Sequence, residues 1–377
     1  MSTTEDPSEK FMPPARAVSL PLETLRDRLT PWLRERFAAP DLRIVDIRSP
    51  GAAGVNNETL LLDVDSSVAE LNGVDGLVVR LEAPTTLFPG FDIVSSYRCY
   101  EVLQDEPVAP TPRVYGLEQD ETILGRRFYA MERIAGLIPA DNPTYHQSGW
   151  VKGLPVAERT QCWDNAIRTM ARLHRAPLEK FGFLRDMGVG TLQQQMAYWR
   201  RYYDENGVHD ALLERTWDWL VANCPADAPE GFSWGDSRPP NMIFRGLECV
   251  GLLDWDMVSL VGPECDIAWW MLNDLSGSSK VGRLEGLPAA RELVRIWEDE
   301  SGRKVRNMEF WFMFNLYRLG SIMRRLKGFL ASLGTPPEAI GDMDRVNTAT
   351  SILTTRWGLG EGFGVGHWKD VAPAIDA

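Results

Sequence analysis

Histidine and cysteine are scarce in this chain: four histidines and five cysteines among 377 residues. The cysteines (Cys99, Cys162, Cys224, Cys249, Cys265) are scattered and form no CxxC pair. That spacing argues against a zinc site and against a disulfide framework, and predicts reduced thiols in a cytoplasmic protein. No apolar run approaches the roughly 18 residues of a membrane helix, so no membrane partner is expected. The opening stretch, MSTTEDPSEKFMPPARA, has no apolar h-region and reads as a flexible tail over 1–20, not a signal peptide. Positive charge is also short: 40 Lys and Arg against 53 Asp and Glu give a net charge of −13. A nucleic-acid partner needs a basic face and is excluded on that ground. The shortage is sharper locally, because no lysine occurs between Lys10 and Lys152. Any side chain that grips an anion there must be arginine. Internal repeats and low-complexity tracts are absent too.

What remains is an ordinary globular composition, 44% hydrophobic and 25% charged, in a chain long enough for two lobes. Helical periodicity runs over Leu22–Phe37, where Pro31 is expected to kink or split the helix. Strands are expected at Arg43–Ile47, Glu58–Val64, Leu77–Leu81, Thr122–Leu124 and Arg127–Met131. A loop of small residues, Ser49 to Asn57, separates the first two. It contains Gly54, Asn56 and Asn57, and its backbone N–H groups could approach anionic oxygens. A helix is expected at about Asp92–Gln104, and the chain is largely helical after Ile134, over Ala157–His174, Leu192–Asn206, Ala211–Asn223 and Met308–Leu330. His174 reads as a packed or capping residue, and the aromatic stripe of the last helix as core.

The chemistry concentrates in Ser233–Trp270, SWGDSRPPNMIFRGLECVGLLDWDMVSLVGPECDIAWW. Asp236 is followed five residues later by Asn241, across a segment stiffened by Pro239 and Pro240. Met242–Phe244, a turn at Arg245-Gly246 and Val250–Leu253 read as a hairpin that delivers Asp254. An Asp, an Asn and a second Asp in this order are the base-and-metal set of kinase-type phosphoryl transfer. One carboxylate takes the proton of the attacking hydroxyl, while the amide and the other carboxylate offer the oxygens that Mg²⁺ prefers. Asp256 is a further carboxylate nearby. Asp266, just before Ile267-Ala268-Trp269, reads as a helix cap.

With Gly262-Pro263 and Asp266-Ile267-Ala268-Trp269 added, the segment resembles the aminoglycoside phosphotransferase superfamily, whose pattern is HGD-x₄-N, a DWE-type motif and a DLAW-like helix start. The resemblance extends from about Ile44 to Trp311. It is nearest the bacterial branch of phosphotransferase-family proteins of unassigned substrate. The superfamily also takes in choline-type and homoserine kinases, and the hydroxyacyl-CoA kinase-like domains fused to acyl-CoA dehydrogenases. The resemblance implies an α+β, two-lobed protein-kinase-like fold: an antiparallel-sheet, nucleotide-binding lobe over 21–134 and a mainly helical lobe over 135–377. It implies ATP and Mg²⁺ as cofactors and a hydroxyl-bearing small molecule as substrate: aminoglycoside-like, amino alcohol, hydroxy acid or hydroxyacyl-CoA. Asp236 and Arg238 would be catalytic, Asn241 and Asp254 metal ligands, and Arg80 the phosphate grip on the third strand. Met131, Glu132 and Ile134 would form the hinge that binds adenine, with Gly54, Asn56 and Asn57 over the phosphates. Oligomeric state is left open.

Three positions depart from the family pattern. Arg80 replaces the usual Lys. Ser96 stands where a Glu would pair with it, so that partner is missing or comes from elsewhere, with Glu101 or Glu58 as candidates. Trp234 replaces the His of the first motif. The departures keep a second reading open, a nucleotide-binding pseudokinase or regulatory module without transfer activity.

Overall fold

The computed structural model describes residues 20–50, 57–71, 73–207, 209–362 and 371. The chain divides into two compact units, one holding residues up to Gly136 together with Val250–Asp256, the other Leu137–Cys249 and residues from Met257 on. The architecture is α+β.

The first unit is built on a five-stranded antiparallel sheet of order β1-β2-β3-β5-β4. Its elements in chain order are α1 (Leu22–Arg36), β1 (Arg43–Arg48), β2 (Glu58–Asp65), β3 (Leu77–Leu81), α2 (Ile93–Asp105), β4 (Val114–Glu118) and β5 (Phe128–Glu132). Leu25, Leu29 and Leu33 recur every four residues along α1 and pack with Leu60, Leu62, Leu77, Val79 and Leu81 of the sheet in one core. Alternation along β3 places Val79 inside this core and leaves Arg80 half-buried on the other face.

Two expectations need correction here. The first helix runs unbroken through Pro31. The ring removes the N–H that would reach the carbonyl of Asp27, and both residues lie on the exposed face, where solvent can satisfy that oxygen. The fourth strand is Val114–Glu118, and Thr122–Leu124 forms a turn instead. The Asp120 carboxylate accepts from the Thr122 N–H at 2.9 Å and closes the chain locally before a strand can extend. The small-residue loop, with Gly54 and Asn56, lies outside the described residues; Asn57 is described, buried just before β2.

The second unit is mainly helical. It contains α3 (Gly149–Gly153), α4 (Val156–Leu173), α5 (Phe183–Asp186), α6 (Leu192–Asp204), α7 (Ala211–Ala222), α8 (Pro263–Ser278), α9 (Ala290–Ser301), α10 (Met308–Ser332), α11 (Pro337–Ile340) and α12 (Thr348–Arg356). The strands β6 (Met242–Arg245) and β7 (Glu248–Leu252) pair as a hairpin after a 3₁₀ turn at Pro239–Asn241. The helix α8 is buried along nearly its whole length and packs against α10, whose Phe310, Trp311 and Phe314 are core, as the aromatic stripe suggests. Among the described residues, no helix is long and apolar enough to cross a membrane.

A polar cluster inside this unit gives its stability a pH dependence. Asp274 of α8 accepts from the Tyr145 hydroxyl at 2.9 Å and from Arg283 Nε at 2.8 Å, with His146 Nε2 at 3.3 Å. Burial pushes this carboxyl up, but His146 and Arg283 outweigh burial and hold it at about 2. The folded value lies below the ordinary 3.8, so the stabilisation is complete above pH 4 and is lost as pH falls towards 2. It should be worth roughly 2 kcal/mol. Urea titrations of wild type and Asp274→Asn between pH 5 and pH 2.5 should show the steeper acid loss in wild type; parallel curves would contradict this assignment.

Candidate active site

The loop Ser233–Asn241 is shaped from below by one carboxylate. Asp266, in the first turns of α8, is fully buried. Its Oδ1 accepts from Ser233 Oγ and the Gly235 N–H, both at 2.9 Å. Its Oδ2 accepts from the Trp234 N–H at 2.6 Å and is 2.8 Å from His174 Nε2. Asp266 is therefore not the helix cap expected from sequence. The helix is started by Gly262 and Pro263, and the Asp266 side chain turns back onto the loop. His174 sits at the C-terminal cap of α4, packed as expected; its Nδ1 accepts from Trp297 Nε1 at 2.9 Å, which leaves Nε2 to donate to Asp266.

Two further features fix the loop. Ser233 and Ser259 exchange backbone hydrogen bonds at 3.0 Å. Gly235 has φ +93°, and a Cβ there would lie 2.1 Å from the Met257 carbonyl oxygen, so glycine alone fits. Pro239 and Pro240 begin the 3₁₀ turn that ends at Asn241, whose N–H bonds the Arg238 carbonyl at 2.9 Å. Trp234 fills buried space, with no exposed surface.

The loop brings Asp236, Arg238 and Asn241 together. Asn241 Nδ2 donates to the Asp236 carbonyl at 2.9 Å and to its Oδ2 at 2.7 Å. Arg238 Nε donates to the same Oδ2 at 3.0 Å, and its far end pairs with Asp141 at 2.6 Å. Trp269 Nε1 donates to Oδ1 at 2.8 Å. Burial raises the Asp236 carboxyl, but the Arg238 charge and the hydrogen bonds from Trp269, Arg238 and Asn241 outweigh it, so the group is held below the usual carboxylate range. Asp236 is therefore ionised near neutral pH, able to accept a hydrogen bond from a hydroxyl. Asp141 carries no spacing that marks it in the sequence, and Trp269 stands out there only as the end of the Asp266-Ile267-Ala268-Trp269 helix start, with nothing to show that it reaches Asp236.

The first unit carries a second cluster. Arg80 donates to Thr59 Oγ1 at 2.8 Å across the β2–β3 pair. Burial disfavours its charge, but Tyr129 and the carboxylates of Asp254 and Asp256 outweigh burial and strengthen it. Neither candidate partner fills the place of the missing Glu: Glu58 is committed to Arg126 at 2.8 Å, and Glu101 is exposed beside Tyr97. Counter-charge for Arg80 comes from the Asp254-Trp255-Asp256 segment. Ser96 and Tyr100 lie one turn apart on the buried face of α2; Ser96 Oγ is 3.5 Å from Asp256 Oδ1, and Tyr100 meets Trp255 edge-on at 5.6 Å. Asp254 holds φ +67°, a conformation Asp tolerates better than most residues, and its Oδ1 accepts from the Asp256 N–H at 3.3 Å.

The hinge residues end β5. Met131 and Glu132 are paired in the sheet, and the Glu132 N–H is given to the Arg113 carbonyl at 2.8 Å; Ile134 lies beyond the ladder. Asn241 commits its amide nitrogen to Asp236, which leaves its amide oxygen as the group it still offers. In the other unit, Asp254 carries an oxygen donor of the kind hard cations prefer.

Comparison with known proteins agrees with this chemistry. Residues 65–301 match the model of the phosphotransferase enzyme family. Human acyl-CoA dehydrogenase family member 11 is 26% identical over 78% of this chain and 37% of its own length. The chain thus spans about a third of such curated relatives. A solved structure of a candidate aminoglycoside phosphotransferase from Ralstonia eutropha JMP134 aligns with a TM-score of 0.66 at 22% identity, over 88% of this chain and 97% of that one. Macrolide 2′-phosphotransferase MphH from Brachybacterium faecium aligns at 0.54 and 14% identity, over 85% and 97%. These two likenesses are likenesses of fold, the kinase-like α+β architecture.

Removing the loop's anchor is the direct check of its construction. Asp266→Ala would leave four buried donors without their acceptor and should cost on the order of 3–5 kcal/mol. Urea denaturation reads the loss, and amide exchange at Trp234 and Gly235 should accelerate. A loss below about 1 kcal/mol would mean that water or another group replaces the carboxylate.

Proposed function

This chain belongs to the phosphotransferase enzyme family, and on that footing we propose that it transfers the γ-phosphate of ATP, with Mg²⁺, to a hydroxyl group of a small molecule. The observation that carries the reading is Asp236: a carboxylate kept ionised by three donors, on a loop held rigidly from beneath. It orients the acceptor hydroxyl and takes its proton as the oxygen attacks phosphorus. Arg238, paired with both Asp236 and Asp141, offers a guanidinium for the charge that gathers on the transferred group. Asn241 and Asp254 hold Mg²⁺, which when bound neutralises triphosphate charge. Arg80 grips phosphate oxygens as a fork. Adenine is read by backbone groups just past the end of β5, at Ile134, since the Glu132 N–H is already given to Arg113 and Met131 is paired on both sides in the sheet.

For the acceptor, hydroxyacyl-CoA comes first in this proposal, ahead of aminoglycoside-like, amino alcohol and hydroxy acid acceptors; what supports that order is that several relatives are acyl-CoA dehydrogenases by name. The family's aminoglycoside label does not make this chain a resistance enzyme. The acidic composition and the reduced thiols, four of the five cysteines being buried, are in keeping with work in the cytoplasm on a small molecule.

An acceptor screen that follows ATP consumption tests the reading, with hydroxyacyl-CoA compounds in the first plate. Asp236→Asn should retain Mg-ATP binding and lose transfer by about 10²–10⁴-fold. A variant that keeps wild-type turnover would remove Asp236 from the chemistry.

Arg80 gives an independent check that needs no acceptor. Arg80→Ala should weaken ATP far more than adenosine, because adenosine has no phosphate to lose, and Arg80→Lys should restore binding only in part. Calorimetry on the three proteins with both ligands makes the comparison. Equal losses for the two ligands would assign Arg80 to folding alone and favour the pseudokinase.

A further inference from the structure

The Asp236 carboxylate has a specific vacancy pattern. A carboxylate offers about four lone-pair positions. Among the described residues, Oδ2 receives Arg238 Nε and Asn241 Nδ2, while Oδ1 receives only Trp269 Nε1. The one remaining position is on Oδ1, beside the indole. Trp269 lies on α8 three residues after Asp266, so one helix both anchors the loop and reaches its working carboxylate.

Trp269 is itself held. Arg318 of α10, 2% exposed, places its guanidinium carbon 4.8 Å from the Trp269 ring centre and 4.9 Å from that of Trp199. Its NH2 group donates to the Gly235 carbonyl and contacts Met257 Sδ, both at 3.3 Å; NH1 donates to Asn315 Oδ1 at 2.8 Å and meets Cys265 Sγ at 3.3 Å. None of these partners is a carboxylate. A buried cation so placed is costly on its own, and here its charge is met by ring faces and by the carbonyl of the residue before Asp236.

Resting on the phosphotransfer reading above, we infer that Trp269 is a positioning residue for that reaction and Arg318 its support: the indole N–H fixes Asp236 so that the free position on Oδ1 receives the acceptor's proton. The balance is simple. The hydroxyl O–H bond breaks and its proton passes to Oδ1. The oxygen's electron pair forms the bond to the γ-phosphorus, and the bond to the bridging oxygen breaks with its pair leaving on ADP.

Two measurements on the full chain test this. In a ¹⁵N indole spectrum, the Trp269 Nε1–H resonance is identified by its loss in Trp269→Phe. It should move upfield in Asp236→Asn and, to a smaller extent, in Arg318→Lys; a resonance unmoved by Asp236→Asn would overturn the inference. The second measurement follows Mg-ATP hydrolysis, with water in the acceptor's place. Trp269→Phe keeps the ring and should lower kcat by about 10- to 100-fold while KM for Mg-ATP stays within about twofold. Trp269→His, which restores an N–H donor, should recover part of the rate, an outcome that a purely structural tryptophan would not give. Wild-type kcat in Trp269→Phe, with turnover lost in Asp236→Asn, would sink the positioning role and leave phosphotransfer standing. Wild-type kcat in both variants would remove the phosphotransfer reading as well.

Discussion

Burial of one carboxylate, Asp266, is the constraint on which the loop Ser233–Asn241 depends. A carboxylate with no exposed surface is unfavourable unless its lone pairs are filled. Here all four are, by Ser233 Oγ, two backbone N–H groups and His174. Because two of the donors are consecutive amides, satisfying the carboxylate dictates the path of the chain at Trp234 and Gly235. The positive φ of Gly235 and its contact with the Met257 carbonyl follow from that path. The histidine is fixed in turn by Trp297, whose indole N–H occupies Nδ1 and leaves Nε2 to face Asp266. A loop held in this way can place Asp236 with little freedom, which is what a group that must meet a hydroxyl in line with phosphate requires.

Each unit holds its own buried polar cluster. In the helical unit, Asp236 is surrounded by three donors from two places: Arg238 and Asn241 of its own loop, and Trp269 of α8. In the sheet unit, Arg80 is surrounded by acceptors and phenols: Thr59 on the neighbouring strand, Tyr129 on β5, and the carboxylates after β7. One hairpin, β6–β7, separates Asn241 from Asp254 along the chain. Asn241 immediately precedes β6 and Asp254 follows β7 by two residues, so the spacing visible in the sequence is the length of that hairpin.

Elements whose pattern is local were legible. Periodic leucines mark α1, and short runs rich in Ile, Leu and Val mark β1, β2 and β3, because burial writes itself into the choice of residues. Thr122–Leu124 misled because its apolar residues suit a strand, while the deciding interaction is the Asp120 side chain two residues away. The real β4 contains Gly116, a poor strand former, and pairs in the sheet only through β5. In the site, Asp236, Asn241 and Asp254 were visible because their spacing is that of one loop and one hairpin. Asp266 was seen and misassigned: an Asp near a helix start usually caps it, and nothing local shows partners 31 to 33 residues back in the sequence. Arg318 left no trace at all, since an arginine in an amphipathic helix ordinarily faces solvent.

The three departures from the family pattern are answered from within this structure, and that bears on whether the site works. Arg80 keeps the positive charge that a lysine would bring. Trp234 contributes its backbone N–H to the loop's anchor, and the imidazole that reaches the same carboxylate comes from His174. Ser96 is the most telling. Its hydroxyl lies 3.5 Å from Asp256, a carboxylate that, with Asp254, already supplies counter-charge to Arg80. A glutamate at position 96 would set a third carboxylate against these two in a buried setting, where like charges are costly. The short neutral side chain thus goes with relocation of the arginine's partner from α2 to the Asp254-Trp255-Asp256 segment. A site that had merely decayed would be expected to leave such a cation unbalanced, so the arrangement favours an active phosphotransferase over an inert relative of one.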